Sequence, residues 1–171
     1  MMALTRVNFA GQGQNVLQSS SMPVGSVLQV LNMVTDNNTA HSTLNTYTNT
    51  NMTLSITPSS TSNKILVISS FSVRSYHNSY NSWGRIGLFR DSTLIMTRDS
   101  IKDGGNNQEV VTTPSGFVHL DSPSSTSALT YLIKGKLIVS TNYNAQLDIG
   151  EHRDDSDEIN QQSLTLMEIK G

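Results

Sequence analysis

From Met52 to Thr57 the chain alternates Met52, Leu54 and Ile56 with Thr53, Ser55 and Thr57, and Pro58 follows. Successive side chains of an extended strand point to opposite faces and proline cannot donate to a central ladder, so a half-buried strand is expected to stop at Pro58. After a polar turn from Ser59 to Asn63, the residues Ile65, Val67, Ser69, Phe71 and Val73 share one face, while Leu66 and Ile68 make the first half of the run apolar on both. Cover on both faces marks a central strand. Ser26 to Val34 is also strand-like, with Val27, Leu31 and Met33 on one face and Leu28, Val30 and Asn32 on the other. Here too both faces need partial cover.

Trp83 to Arg90 and Thr93 to Thr97 flank the short connection Asp91-Ser92, which has the length and chemistry of a β-hairpin. Further strands are expected over Gly116 to Asp121, Ser127 to Val139, Tyr143 to Ile149 and Ser163 to Ile169. A short edge strand is expected inside Asp36 to Asn51, and an exposed loop from Arg98 to Glu109. About nine or ten short strands at this spacing predict an all-β, antiparallel two-sheet sandwich or barrel. The turn Thr57-Pro58-Ser59-Ser60-Thr61-Ser62 returns as Ser122-Pro123-Ser124-Ser125-Thr126-Ser127. Their flanks share too little for a repeat architecture, so the echo reads as shared turn chemistry, with proline fixing φ and hydroxyls bonding nearby backbone.

Composition supports the β reading, because Ser, Thr and Asn make up 59 of the 171 residues and compete with helix for backbone hydrogen bonds. The length suits one folded domain over residues 23–171, preceded by an arm, 1–22, that has no sustained period. Cysteine is absent, which excludes disulfide scaffolds, thiolate metal sites and thiol nucleophiles. A formal charge of -2, with 11 Lys and Arg placed singly, gives no footprint for nucleic acid or an anionic membrane. No apolar run approaches the ~20 residues of a spanning helix, and no secretory h-region follows Arg6, so synthesis in a cytoplasm is expected.

Candidate chemistry is sparse. His41, His77, His119 and His152 are scattered, and His119 could face either way in its strand. The run Glu151-His152-Arg153-Asp154-Asp155-Ser156-Asp157-Glu158 is rich in oxygen ligands but lacks the alternation and glycine of a calcium loop, and reads as solvated loop. No nucleophile elbow, paired carboxylates or phosphate cradle appears, and Gly84-Arg85-Ile86-Gly87 reads as relief of crowding at a close sheet contact. The chain is therefore expected to be non-enzymatic, with no cofactor and no metal. Tyr76 and Tyr80, interleaved with His77, Asn78 and Asn81, have the composition of a contact surface, whereas Trp83 is expected in the core. Lys102, Asn106 and Asn107 extend the candidate contact set into the second loop.

Four segments taken in order carry a resemblance: Pro23-Val24-Gly25-Ser26-Val27-Leu28-Gln29-Val30, then Ile56-Thr57-Pro58-Ser59-Ser60-Thr61-Ser62-Asn63-Lys64-Ile65-Leu66-Val67, then Leu120-Asp121-Ser122-Pro123, then Ser163-Leu164-Thr165-Leu166-Met167-Glu168-Ile169. In this order they resemble small tail-fibre and fibre-tip virion proteins of marine and freshwater bacteriophages, cyanophages among them. The resemblance covers Pro23 to Gly171. It implies a jelly roll like tumour-necrosis-factor or complement globular heads, assembled as a homotrimer on a phage tail. It further implies that Arg6, Val7, Phe9, Val16 and Leu17 of the arm dock on a baseplate or adjacent fibre protein, while exposed loops meet a host glycan or outer-membrane receptor. Strands apolar on both faces fit a threefold assembly. A capsid fibre or decoration protein, a glycan-cleaving tail enzyme and a bacterial lectin-like module are the alternatives.

Overall fold

The structure, a computed structural model, describes residues 21–76, 82–100, 110–139, 146–150 and 161–171. Eleven strands run in chain order: β1 Val27–Thr35, β2 Thr39–His41, β3 Thr48–Ile56, β4 Lys64–Tyr76, β5 Ser82–Arg90, β6 Thr93–Asp99, β7 Val110–Ser115, β8 Val118–Asp121, β9 Leu129–Val139, β10 Gln146–Ile149 and β11 Gln162–Ile169. All strand pairs are antiparallel. One sheet holds β1, β11, β4 and β8 at one end and β2, β10, β4 and β7 at the other; the second has the order β3-β9-β5-β6.

This order is that of one long hairpin rolled up. β1 with β2 act as a first strand, β7 with β8 as a sixth, and β10 with β11 as an eighth, because each broken pair lies along the same edge of its neighbour. The rungs are then first with eighth, second with seventh, third with sixth, and fourth with fifth, the last closed by the Asp91-Ser92 tip. Rolling brings the eighth beside the third and the seventh beside the fourth, as the β11–β4 and β9–β5 ladders record. The result is a jelly-roll sandwich.

β4 passes unbroken through the level at which its neighbours break. Beside the β7–β8 interruption, the Ser69 amide donates to the Phe117 carbonyl at 2.8 Å and the Phe117 amide to the Ser69 hydroxyl at 2.9 Å. On the other edge, Gly150 donates to the Ser72 carbonyl at 2.9 Å. The first and eighth strands are tied at their outer ends, where Gly25 donates to the Lys170 carbonyl and Lys170 to the Ser26 carbonyl, both at 2.8 Å.

The core lies between the sheets. Ile65, Val67, Phe71 and Val73 of β4 face inward as the alternation predicts, meeting Leu164 and Leu166 of β11 and, from the other sheet, Met52, Ile86, Leu88, Tyr131 and Ile133. Asp121 ties the layers across this core: it accepts from the Tyr131 hydroxyl and the Arg90 guanidinium, both at 2.6 Å. A second buried carboxylate, Glu168, accepts from the Ser59 amide at 2.6 Å, the Asn63 amide group at 2.6 Å and the Gln29 amide group at 2.7 Å. It thereby holds the turn after β3 against the last strand.

Two facing expectations need correction. Val27 does not share a face with Leu31 and Met33, because a bulge between Val27 and Gln29 reverses the parity and leaves Val27 exposed. Trp83 is half-buried and lies opposite the core side of its strand, since Gly84 and Ile86 take the inner positions. The edge strand expected inside Asp36–Asn51 is β2, and β3 begins earlier than the Met52 alternation, at Thr48. The recurrent turn keeps its local bond in both copies: the Ser62 amide donates to the Ser60 hydroxyl, and the Ser127 amide to the Ser125 hydroxyl.

Candidate functional site

The two sheets present unlike outer faces. On β1, β11, β4 and β8, the register sets Val30, Met167, Leu66 and Leu120 in one row across all four strands. Asn32, Thr165, Ile68 and Val118 form the next row. On this face the most exposed apolar residues lie on the two outer strands: Val30 at 52% and Val34 at 50% on β1, Val118 at 68% and Leu120 at 48% on β8. Between these two ridges, Leu66, Ile68 and Met167 are half-buried. His119, whose facing the sequence left open, lies opposite Val118 and Leu120 and pairs with core-facing Val67.

The outer face of β3, β9, β5 and β6 is built from rings and cations. Arg85 stands directly across from Lys136, and Gly87 from Lys134. The Arg85 guanidinium lies 5.2 Å from the Trp83 ring, the Lys134 ammonium 4.6 Å from Phe89, and the Lys136 ammonium 4.6 Å from Tyr47. Tyr47 and Phe89 meet edge to face at 5.1 Å. Gly87 makes this possible: a Cβ there would sit 2.7 Å from Phe89 and 3.2 Å from Tyr47. Gly84 is the matching close contact on the inner side, where a Cβ would meet Leu147 at 2.3 Å, so the glycine pair relieves crowding on both faces of β5.

Among the described residues, Asp99 of β6 is the carboxylate in contact with this cluster, and it forms a bidentate pair with Arg85. Its hydrogen bond raises the Arg85 guanidinium pKa further above its ordinary value. Burial pushes the Tyr47 phenol up as well. Below β9, buried His41 contacts Thr48, and burial holds its imidazole below 6.5 despite the nearby Asp148 carboxylate. A cleft of about 420 Å³ opens between the sheets beside β6 and β7, lined by residues including Val73, Ile86, Arg98 and Pro114. The Arg98 guanidinium reaches to 5.9 Å from the Phe117 ring there.

Tyr76 is the last residue of β4. The other contact candidates, His77, Asn78, Tyr80, Asn81, Lys102, Asn106 and Asn107, lie outside the described residues, as do the arm positions Arg6, Val7, Phe9, Val16 and Leu17 and the acidic run 151–158. Among the described residues, no group of three His, Asp or Glu side chains is placed to hold a metal ion, and no helix is long and apolar enough to cross a membrane. The ring and cation cluster was not anticipated. Its signal was parity, with Trp83, Arg85 and Phe89 on one side of β5 and Lys134 and Lys136 on one side of β9.

No family model matches the chain, and no curated protein does. Among solved structures, it is similar to a chain of the infectious bursal disease virus Gx strain, at 11% identity and a TM-score of 0.36, over 84% of this chain and 37% of that one. A chain of the Gt strain is similar at 12% identity and a TM-score of 0.35, over 94% of this chain and 41% of that one. The chain thus spans about two fifths of the length of these neighbours. Its assignment as a jelly-roll sandwich rests on its own strand order.

Proposed function

We propose that this chain is a non-enzymatic structural protein of a virion, the head of a phage tail fibre or fibre tip, which assembles as a homotrimer and meets a host surface. The observation that carries the proposal is the apolar outer face of the β1–β11–β4–β8 sheet. A folded chain in water rarely leaves such a patch uncovered, and a second copy of the same chain is the occupant its layout suits. A threefold contact is heterologous and needs two different patches on each copy, whereas a twofold contact uses one patch twice. The separate ridges on β1 and β8 supply two.

Three strands of about eight residues and the four-residue β8, ~4.8 Å apart, give a footprint of roughly 450 Å². A standard interface takes about 800 Å² from each partner, so the turns adjoining this face have to take part in the contact. The ordered motifs from Pro23 to Ile169 support the phage-fibre attribution, and an abundance of Ser, Thr and Asn suits a polar contact with a host glycan. Residues 1–22 supply the docking arm and 23–171 the head. Several heads on one particle would raise avidity without a tight single site.

Light scattering on the purified chain tests the assembly: three times the 18.7 kDa chain mass is expected, and a monomer or dimer at micromolar concentration overturns the trimer. Antibody labelling of intact particles is expected to mark the tail. Purified protein added to host cells is expected to block adsorption. Label confined to the shell, or unimpeded adsorption, overturns the fibre reading.

A further inference from the structure

We infer that the outer face of the β3–β9–β5–β6 sheet binds an acidic polysaccharide, with carboxylate or sulfate groups held by Arg85, Lys134 and Lys136 and sugar rings laid against Trp83. The inference rests on the adhesion reading above and names the ligand class for it. Like charges directly opposite on neighbouring strands destabilise a sheet, yet Arg85 and Lys136 are placed so. Asp99 compensates one of them. Among the described residues, three cations and one carboxylate leave this cluster at +2, on a chain whose formal net charge is -2. Positive charge concentrated against the sign of the whole molecule is a local attraction for an anion.

The rings give the cluster its chemistry beyond charge. Phe89 is nearly buried beneath Lys134, and Tyr47 closes over Gly87, so the ammonium groups stand on a rigid floor. Trp83, half-exposed beside Arg85, offers a flat apolar face, and the Arg85 guanidinium, whose Nε–Nη2 edge is taken by Asp99, keeps its Nη1–Nη2 edge for a carboxylate or sulfate. On β3 the same side of the sheet presents Asn49, Thr53 and Ser55, an exposed set of amide and hydroxyls suited to sugar hydroxyls. Three cations suit a polymer charged once every few rings. Nucleic acid, with one charge per ~1.7 Å of duplex, is held by larger basic tracts.

The test is binding of the full-length assembled protein to immobilised heparin, polygalacturonate, neutral dextran and single-stranded DNA. Expected are binding to heparin or polygalacturonate that weakens as salt rises, none to dextran, and at least tenfold weaker binding to DNA. Lys134→Ser with Lys136→Ser is expected to weaken polysaccharide binding at least tenfold. Trp83→Ala is expected to weaken it severalfold with the salt dependence unchanged. Lys134→Arg with Lys136→Arg is expected to keep binding, which separates lost charge from lost folding. Absence of binding to both acidic polymers, binding indifferent to the double serine variant, or equal binding to DNA overturns the inference. If the double serine variant still blocks adsorption as well as the parent, the ligand site is wrong while the adhesion reading stands. If the parent itself fails to block, the adhesion reading falls.

Discussion

Across the first sheet, one row of outward side chains reads Val30, Met167, Leu66, Leu120; across the second, the corresponding direction reads Lys136, Arg85, Asp99. Both rows stand over the same core and are built from strands of the same alternation. The first can lower its free energy only by losing water to another apolar surface. The second keeps its ammonium groups wet and offers them to a counter-charge. Strand parity decides which residues travel together, and the outward set decides whether a face is for packing or for contact.

The largest effect is expected from Val30→Asp with Val118→Asp, one charge on each ridge. Light scattering should show conversion from trimer to monomer, with at least a hundredfold loss of association and an unchanged circular dichroism spectrum. Binding to heparin per chain should survive, which would separate the two faces.

Next comes the inner side of the strand that carries Met167. Glu168→Ala should cost about 3 kcal/mol in denaturant unfolding, because it strands the buried Asn63 donor and removes the acceptor of the partly buried Ser59 and Gln29 donors. Burial pushes the Glu168 carboxyl up, but the bonds from Asn63, Ser59 and Gln29 outweigh it and hold the group below 4.5. A depressed carboxylate pKa gives stability that is complete above the unfolded value and lost as pH falls through the folded one. The parent should therefore lose stability below about pH 4.5, and Glu168→Gln should flatten that part of the pH profile.

A smaller effect is expected at Gly87→Ala, about 1 kcal/mol. The added methyl displaces Phe89 and Tyr47, so heparin binding should fall severalfold while the assembly mass stays the same. Asp99→Asn should change stability by no more than about 0.5 kcal/mol, since its pair with Arg85 is exposed. It should tighten heparin binding about twofold by removing the carboxylate in contact with the cluster.

Much of the roll was legible where local pattern and global fold agree. β4 follows its alternation through Val73, β3 ends before Pro58, and the Asp91-Ser92 hairpin forms, with Asp91 in the left-handed region at φ 53°. The facing of Val27 was not legible because a bulge changes parity without leaving a signature in hydrophobicity. Trp83 misled for a related reason: ring size suggests burial, but the parity set by Gly84 and Ile86 leaves it the outer side. The ring and cation cluster draws on Tyr47, β5, β6 and β9, segments far apart in the chain, and only cross-strand register brings them to one place. The apolar rows on the other sheet were foreshadowed by Leu66 and Ile68, which had no reason to be apolar on an outward side unless something covers them.

The tie between Gly25, Ser26 and Lys170 means that the path into the roll and the path out of it pass through one doorway. A domain tied in this way can be set into a surface loop of another protein without stretching either outer strand.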